Sequence, residues 1–221
     1  GYDSVLVEIH ALPNPNIFAL GPISFCEGNS VLLQVDSNYV TQSWNNGTTI
    51  IYTYADTSGN YYVNVTDTNG CSNNSNAINV VVHPNPIADF IINGICANIP
   101  SQFMNTSTVS TGNIVSSIWY LGNGDVVNGD SLLYTYPFSG EYYTNLFVTS
   151  DYGCLDSIGK WYSIYNNPIA DFMASTQFLS IMNPEVSLFD KSFDATSWMW
   201  DFGNSDLSSL QNPTITFTDT G

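Results

Sequence analysis

The chain repeats itself, and that limits what it can fold into. Ile87-Ala88-Asp89-Phe90 returns as Ile169-Ala170-Asp171-Phe172, an offset of 82 residues. A proline hinge stands before each copy, Pro84-Asn85-Pro86 and Asn166-Asn167-Pro168, and an earlier hinge, Pro13-Asn14-Pro15, precedes the first of these by 71. Periods of this size describe an array of small domains, not one large core. Both ends fall inside a repeat. Asp3-Ser4-Val5-Leu6-Val7-Glu8-Ile9 reads like Asp156-Ser157-Ile158 and its continuation, the exit strand of an upstream domain. Thr218-Asp219-Thr220-Gly221 aligns its glycine with Gly140, so the third repeat is expected to lack its last two strands. The expected division is 1–15 (upstream exit strand and hinge), 16–86, 87–168 and an incomplete 169–221.

The local pattern is β throughout. Ser30–Val35, Tyr61–Thr66 and Ile78–Val82 are short runs rich in β-branched and aromatic residues, separated by turn pairs such as Asn46-Gly47, Ser58-Gly59, Asn69-Gly70, Asn123-Gly124 and Asn128-Gly129. No window of helical length carries the 3.6-residue period. Strands of this length and spacing predict antiparallel sandwiches. In the second repeat the expected strands are 87–93, 101–105, 115–121 with Trp119, 132–136, 141–149 with Tyr142 and Tyr143, and 157–165. Trp44 and Tyr61 mark the same places in the first repeat, and Trp200 marks one in the third.

Composition narrows the setting. Nineteen acids face two lysines and no arginine, for a net charge of −17. Such a surface repels nucleic acid and anionic lipid, which need Lys and Arg against their phosphates. No apolar run is long enough for a membrane-spanning helix, and no signal peptide is visible.

Four cysteines fall two per repeat, Cys26 with Cys71 and Cys96 with Cys154. Three pairings exist. The within-repeat one keeps each domain self-contained, and is the expectation. Its loops of 46 and 59 residues would each contribute roughly 4 kcal/mol in the loop-entropy picture. Four reduced thiols are the competing reading. A zinc site lacks the usual CxxC spacing or clustered histidines. Paired cysteines suit an oxidising compartment.

Trp200-Asp201-Phe202-Gly203-Asn204-Ser205 resembles the Trp-Asp-Phe-Gly-Asp-Gly signature of polycystic-kidney-disease (PKD) domains. Trp119-Tyr120-Leu121-Gly122-Asn123-Gly124 is a degraded form of it, and Tyr136, Gly140 and Tyr142 match the family's downstream Tyr-x-x-x-Gly-x-Tyr. The first repeat has Trp44-Asn45-Asn46-Gly47, without the apolar residue that precedes the glycine in the signature, and looks more like the immunoglobulin-like repeats that accompany PKD domains in long bacterial surface proteins. Units ending in Asn-Gly-Cys or Tyr-Gly-Cys resemble gliding-motility adhesins and other type IX-secreted proteins. The resemblance implies an all-β fold of tandem immunoglobulin-like (PKD-type) antiparallel sandwiches in a linear array, extracellular or on the cell surface. It also implies an O-glycosylation acceptor, Asp-Ser/Thr-apolar, met at Ser4, Ser131 and Ser157.

Trp44, Trp119 and Trp200 are expected to fill the cores. Trp198 lies two residues from Trp200 and so shares its face. Tyr61 and Tyr142 are expected to pin sandwich corners through their hydroxyls. His10 and His83 occupy equivalent linker positions, which reads as structural. The sequence has no HExxH, no Gly-x-Ser-x-Gly and no phosphate-binding loop, so no catalytic residue and no cofactor is expected. Calcium is the one chemical candidate, through Asp125 and Asp130 after Trp119 and Asp201, Asn204 and Asp206 in the third repeat, since the ion takes six to eight oxygens. Asp89 and Asp171, just past the hinges, belong to the same reading. An intramolecular Lys–Asn isopeptide bond would need Lys160 or Lys191 buried. The expected role is a non-catalytic stalk or filament segment of a long secreted surface protein, with neighbouring repeats of the same chain as partners. The alternatives are an adhesive module for polysaccharide or protein, or an accessory module of a secreted hydrolase.

Overall fold

The computed structural model describes residues 3–180 and 182–217. Every regular element among them is a strand, and the fold is all-β, of tandem immunoglobulin-like sandwiches.

The first repeat holds β1 (Ile17–Ala19), β2 (Ser24–Cys26), β3 (Val31–Val35), β4 (Thr41–Trp44), β5 (Tyr52–Ala55), β6 (Gly59–Tyr61), β7 (Val63–Thr66), β8 (Ser72–Asn74) and β9 (Ile78–His83). They form sheets of order β1-β3-β5, β2-β9-β6 and β4-β7-β8. In β3, Val31, Leu33 and Val35 are buried and the residues between them are half-buried, the alternation a one-sided sheet demands. With Ile17, Trp44, Ala55, Tyr61, Val63, Val65 and Val80 they make one core. The expected strand over 61–66 is divided. Tyr61 pairs with Ile78 of β9, whereas Val63 pairs with Trp44 of β4. The chain changes sheets at Tyr62; Tyr61 and Val63, two apart and so on one face, are both buried in the core. β2 runs parallel to β9 and sets Cys26 opposite His83 at the hinge end.

The second repeat holds β10 (Phe90–Asn93), β11 (Pro100–Asn105), β12 (Ile114–Tyr120), β13 (Val126–Asn128), β14 (Ser131–Thr135), β15 (Gly140–Ser150) and β16 (Leu155–Ile164). Its sheets are β10-β11-β14 and β13-β12-β15-β16. The third holds β17 (Phe172–Ala174), β18 (Glu185–Asp190), β19 (Trp200–Asp201), β20 (Leu207–Ser208) and β21 (Thr214–Thr216), in sheets β17-β18-β21 and β19-β20. Its buried hydrophobics among the described residues are Val186 and Ile215 alone. The expectation for 218–221 lies outside the described residues.

Two compact units emerge. One comprises Gly1–Ile91, Met104–Ser131 and Tyr143–Lys160, the other Ile92–Phe103, Leu132–Tyr142 and Trp161–Gly221. The second repeat contributes to both. Residues 3–16 carry no strand. Val5, Leu6, Val7 and Ile9 are 76–94 % exposed. A strand exists only by pairing its backbone with a neighbour, and among the described residues this segment pairs with none.

Candidate functional site

The cysteines do not pair as expected. Cys26 bonds Cys154, with Cα atoms 5.6 Å apart and 128 residues between them in sequence, while Cys71 and Cys96 are free thiols. The reason lies in where each cysteine sits. Cys26 ends β2 at the hinge end of the first repeat, beside His83. Cys154 follows a tight turn after β15, in which the Gly153 amide donates to the Ser150 carbonyl. Around this bond the His83 ring stacks on Tyr152 at 3.9 Å and 13°. His83 Nε2 also lies 2.8 Å from Ser24 Oγ, and the Asn85 side-chain amide donates to the Glu27 carbonyl. The first and second repeats are therefore joined by a covalent bond and a ring stack, in addition to the backbone through Pro84-Asn85-Pro86. Sequence reasoning missed this junction. The available signal was that both cysteine types lie at repeat ends, next to Gly turns or hinges.

Each tryptophan of the repeated position anchors the segment that follows it. Trp44 Nε1 donates to the Ile50 carbonyl at 2.9 Å, Trp119 Nε1 to the Gly129 carbonyl at 2.8 Å, and Trp200 Nε1 to the Leu210 carbonyl at 2.7 Å. Trp44 and Trp119 are buried as expected; Trp200 is only half-buried. The reason is local: its repeat has few buried neighbours. Phe90 meets Trp119 edge-on at 5.2 Å, and Phe172 meets Trp200 at 5.4 Å, so the same aromatic pair recurs. The glycine three residues after Trp119 has a distinct cause. Gly122 has φ +80°, and a Cβ there would come within 2.8 Å of Tyr143 backbone atoms, so only glycine fits.

The tyrosine corners are present. Tyr61 Oη donates to the Thr57 carbonyl at 3.1 Å, and Tyr142 Oη to the Phe138 carbonyl at 3.0 Å, each four residues upstream. Tyr61 is buried and Tyr142 half-buried. Lys160 is occupied: its Nζ donates to Asp89 Oδ1 at 2.5 Å and to the Phe90 carbonyl at 2.6 Å, over the Phe90 ring. That ammonium, with the Phe90 amide, holds the Asp89 carboxyl below its ordinary range.

The acidic loops close on themselves. Asp125 accepts from the Asn123 side chain, and Asp206 from Asn204, while Asp201 Oδ1 accepts from the Gly203 amide and Asp130 Oδ1 from Asn105. Among the described residues, no three His, Cys, Asp or Glu side chains are grouped to hold a metal. Ser4, Ser131 and Ser157 are exposed.

The third repeat contains a cavity of about 610 Å³ lined by Phe172, Leu188, Trp198, Trp200, Ile215 and Phe217. Trp198 and Trp200 share it, as their spacing required. The position of Trp200 is filled core in the second repeat, where Trp119 is fully buried. The cavity is hence the open interior of a sandwich.

Residues 83–161 match the PKD domain family. That segment runs from His83 through the Trp119 strand, the Tyr142 corner and Cys154, so the second repeat is of PKD type. Two solved PKD1 domains are similar. That of Vibrio anguillarum Epp is 25% identical, covers 38% of this chain and 96% of its own, and has a TM-score of 0.34. That of the Vibrio cholerae metalloprotease PrtV is 31% identical, covers 37% of this chain and 98% of its own, and has a TM-score of 0.33. Fibronectin(III)-like modules of Clostridium thermocellum CbhA are 12% identical over 68% of this chain and 94% of their own, with a TM-score of 0.35. No curated protein matches the chain.

Proposed function

We propose that this chain is a non-catalytic, load-bearing spacer segment of a secreted bacterial cell-surface protein, of the type IX-secreted, gliding-adhesin kind. Its partners are neighbouring repeats. The observation that carries this reading is the Cys26–Cys154 bond between consecutive repeats. A spacer needs a force path. Tension entering through the first repeat passes across the sulfurs at Cys26 and leaves at Cys154, bypassing the proline hinge and most of both repeats. The PKD match, the oxidised bond and the −17 charge support an extracellular setting. Scarce Lys and Arg leave few sites for trypsin-like proteases. Ser4, Ser131 and Ser157 are offered to solvent as acceptors for O-linked sugar. Stretching single molecules tests the reading. The oxidised chain should withhold the 128-residue segment closed by Cys26–Cys154, and the reduced chain should yield it in abrupt steps; smooth low-force extension of that segment would speak against a load-bearing role.

A further inference from the structure

We infer that Cys26–Cys154 is one rung of a disulfide ladder, and that Cys71 and Cys96 are the open halves of its neighbouring rungs. Each takes the complementary cysteine of a further repeat of the same kind. Cys96 bonds a turn cysteine like Cys154, and Cys71 bonds a strand-end cysteine like Cys26.

The inference rests on matched backbone environments. Cys26 stands in parallel register with His83, and Cys96 forms a parallel bridge with Tyr165. The residue after each cysteine donates to the same partner, Glu27 N to the His83 carbonyl and Ala97 N to the Tyr165 carbonyl, both at 2.8 Å. The amide three residues on returns to the cysteine carbonyl, from Asn29 at 3.2 Å and from Ile99 at 3.3 Å. The hinge asparagines complete the match. Asn85 Nδ2 donates to the Glu27 carbonyl and Asn167 Nδ2 to the Ala97 carbonyl.

The turn cysteines match equally. Gly70 and Gly153 have φ of 82° and 80°. The Gly70 amide donates to the Asp67 carbonyl and the Gly153 amide to the Ser150 carbonyl. Asp67 N donates to the Cys71 carbonyl at 3.0 Å and Ser150 N to the Cys154 carbonyl at 2.9 Å. The Cys71 amide is capped by Asp67 Oδ1 at 2.9 Å, and the Cys154 amide by Ser150 Oγ at 3.1 Å. Thus Cys96 is built as Cys26 is built, Cys71 is built as Cys154 is built, and the structure shows those two kinds bonded to each other.

The surroundings of Cys96 agree. His83, the bridge partner of Cys26, is covered by Tyr152 from the following repeat. Tyr165, the bridge partner of Cys96, is 57 % exposed. It borders a groove of about 730 Å³ lined also by Gly140, Glu141, Asn166, Asp194 and Ser197. In each rung two thiols lose two protons and two electrons to a disulfide oxidant, which is reduced to its dithiol; the Cys26–Cys154 bond already requires that oxidant.

Peptide mapping of the native protein, alkylated with N-ethylmaleimide and digested without reduction, tests the ladder. Cys71 and Cys96 should both resist alkylation. The Cys96 peptide should be linked to one with a Gly-Cys turn, and the Cys71 peptide to one with a strand-end cysteine. Denaturing electrophoresis with and without reductant separates the two sources. An unchanged mass places the partner repeats in the same polypeptide, and a halved or smaller mass places them in another copy. Alkylated Cys71 or Cys96, a Cys71–Cys96 bond, or a bond between two cysteines of the same kind overturns the inference. It stands or falls separately from the load-bearing role, which stretching measures.

Discussion

Breaking the bond between Cys26 and Cys154 changes how far the chain can be pulled, and the structure sets by how much. The bond spans 128 residues. An extended chain reaches about 3.3–3.6 Å per residue, so those residues hold about 42–46 nm of length, while the bonded Cα atoms are 5.6 Å apart. In the oxidised protein this length is unavailable at any force below that which breaks covalent bonds. Constant-velocity stretching of the chain between two handles should therefore end about 42–46 nm shorter before reduction than after it. Cys154→Ser should give the long extension under both conditions. The same bond constrains the unfolded state, by about 5 kcal/mol in the loop-entropy picture, so the variant should also melt earlier. Two separate hidden lengths of about 15 and 20 nm, scaled from the same reach per residue, would instead reveal Cys26–Cys71 and Cys96–Cys154 bonds. That result, or no change on reduction, would refute the reasoning.

Other outcomes follow from individual side chains. Trp119→Ala should cost about 3–5 kcal/mol in denaturant unfolding, as expected for a large buried side chain, whereas Leu133→Ala, at an exposed position, should stay within about 0.5 kcal/mol. Tyr61→Phe removes the hydroxyl that bonds Thr57 and should cost about 1 kcal/mol, read in the same assay. In the third repeat Asp190 is held down to about 2 by hydrogen bonds from Gln211 and Ser192. A depressed carboxylate stabilises the fold fully above its ordinary pKa and loses that contribution as pH falls towards 2. The protection factors of β18 amides, measured against their intrinsic exchange rates, should fall over that window, and that fall should vanish in Asp190→Asn; an Asp190 carbon resonance titrating near 4 would contradict it.

Much of the fold was legible because strand patterns are local. The runs at 101–105, 115–121, 132–136 and 141–149 appear as β11, β12, β14 and β15 with ends shifted by a residue or so. Burial alternates along a strand whatever lies across the sheet, so composition and turn glycines suffice to place it. Asp3–Ile9 shows the limit of that logic. It has the pattern of a strand, yet pairing is a property of the neighbour and not of the segment. The Trp200 position was likewise legible, but its degree of burial was not, because burial depends on what other strands bring.

The cysteine error has the same origin and teaches more. Repetition places chemically equivalent cysteines at equivalent points of each unit, so spacing alone cannot tell a bond inside a repeat from one between repeats. Treating each domain as self-contained broke the tie the wrong way. What decides it is direction along the sheet. β2 runs parallel to β9, so its last residue arrives at the same end as the chain's exit, where the next repeat begins. A cysteine ending such a strand faces the following domain, and a cysteine in a turn capped like that of Cys154 can reach back to it. The tandem array then carries its crosslinks across the hinges, where two sandwiches joined only by a proline linker would otherwise be free to separate. Stability within each sandwich falls to the indole and tyrosine anchors, which recur at Trp44, Trp119 and Trp200 and at Tyr61 and Tyr142.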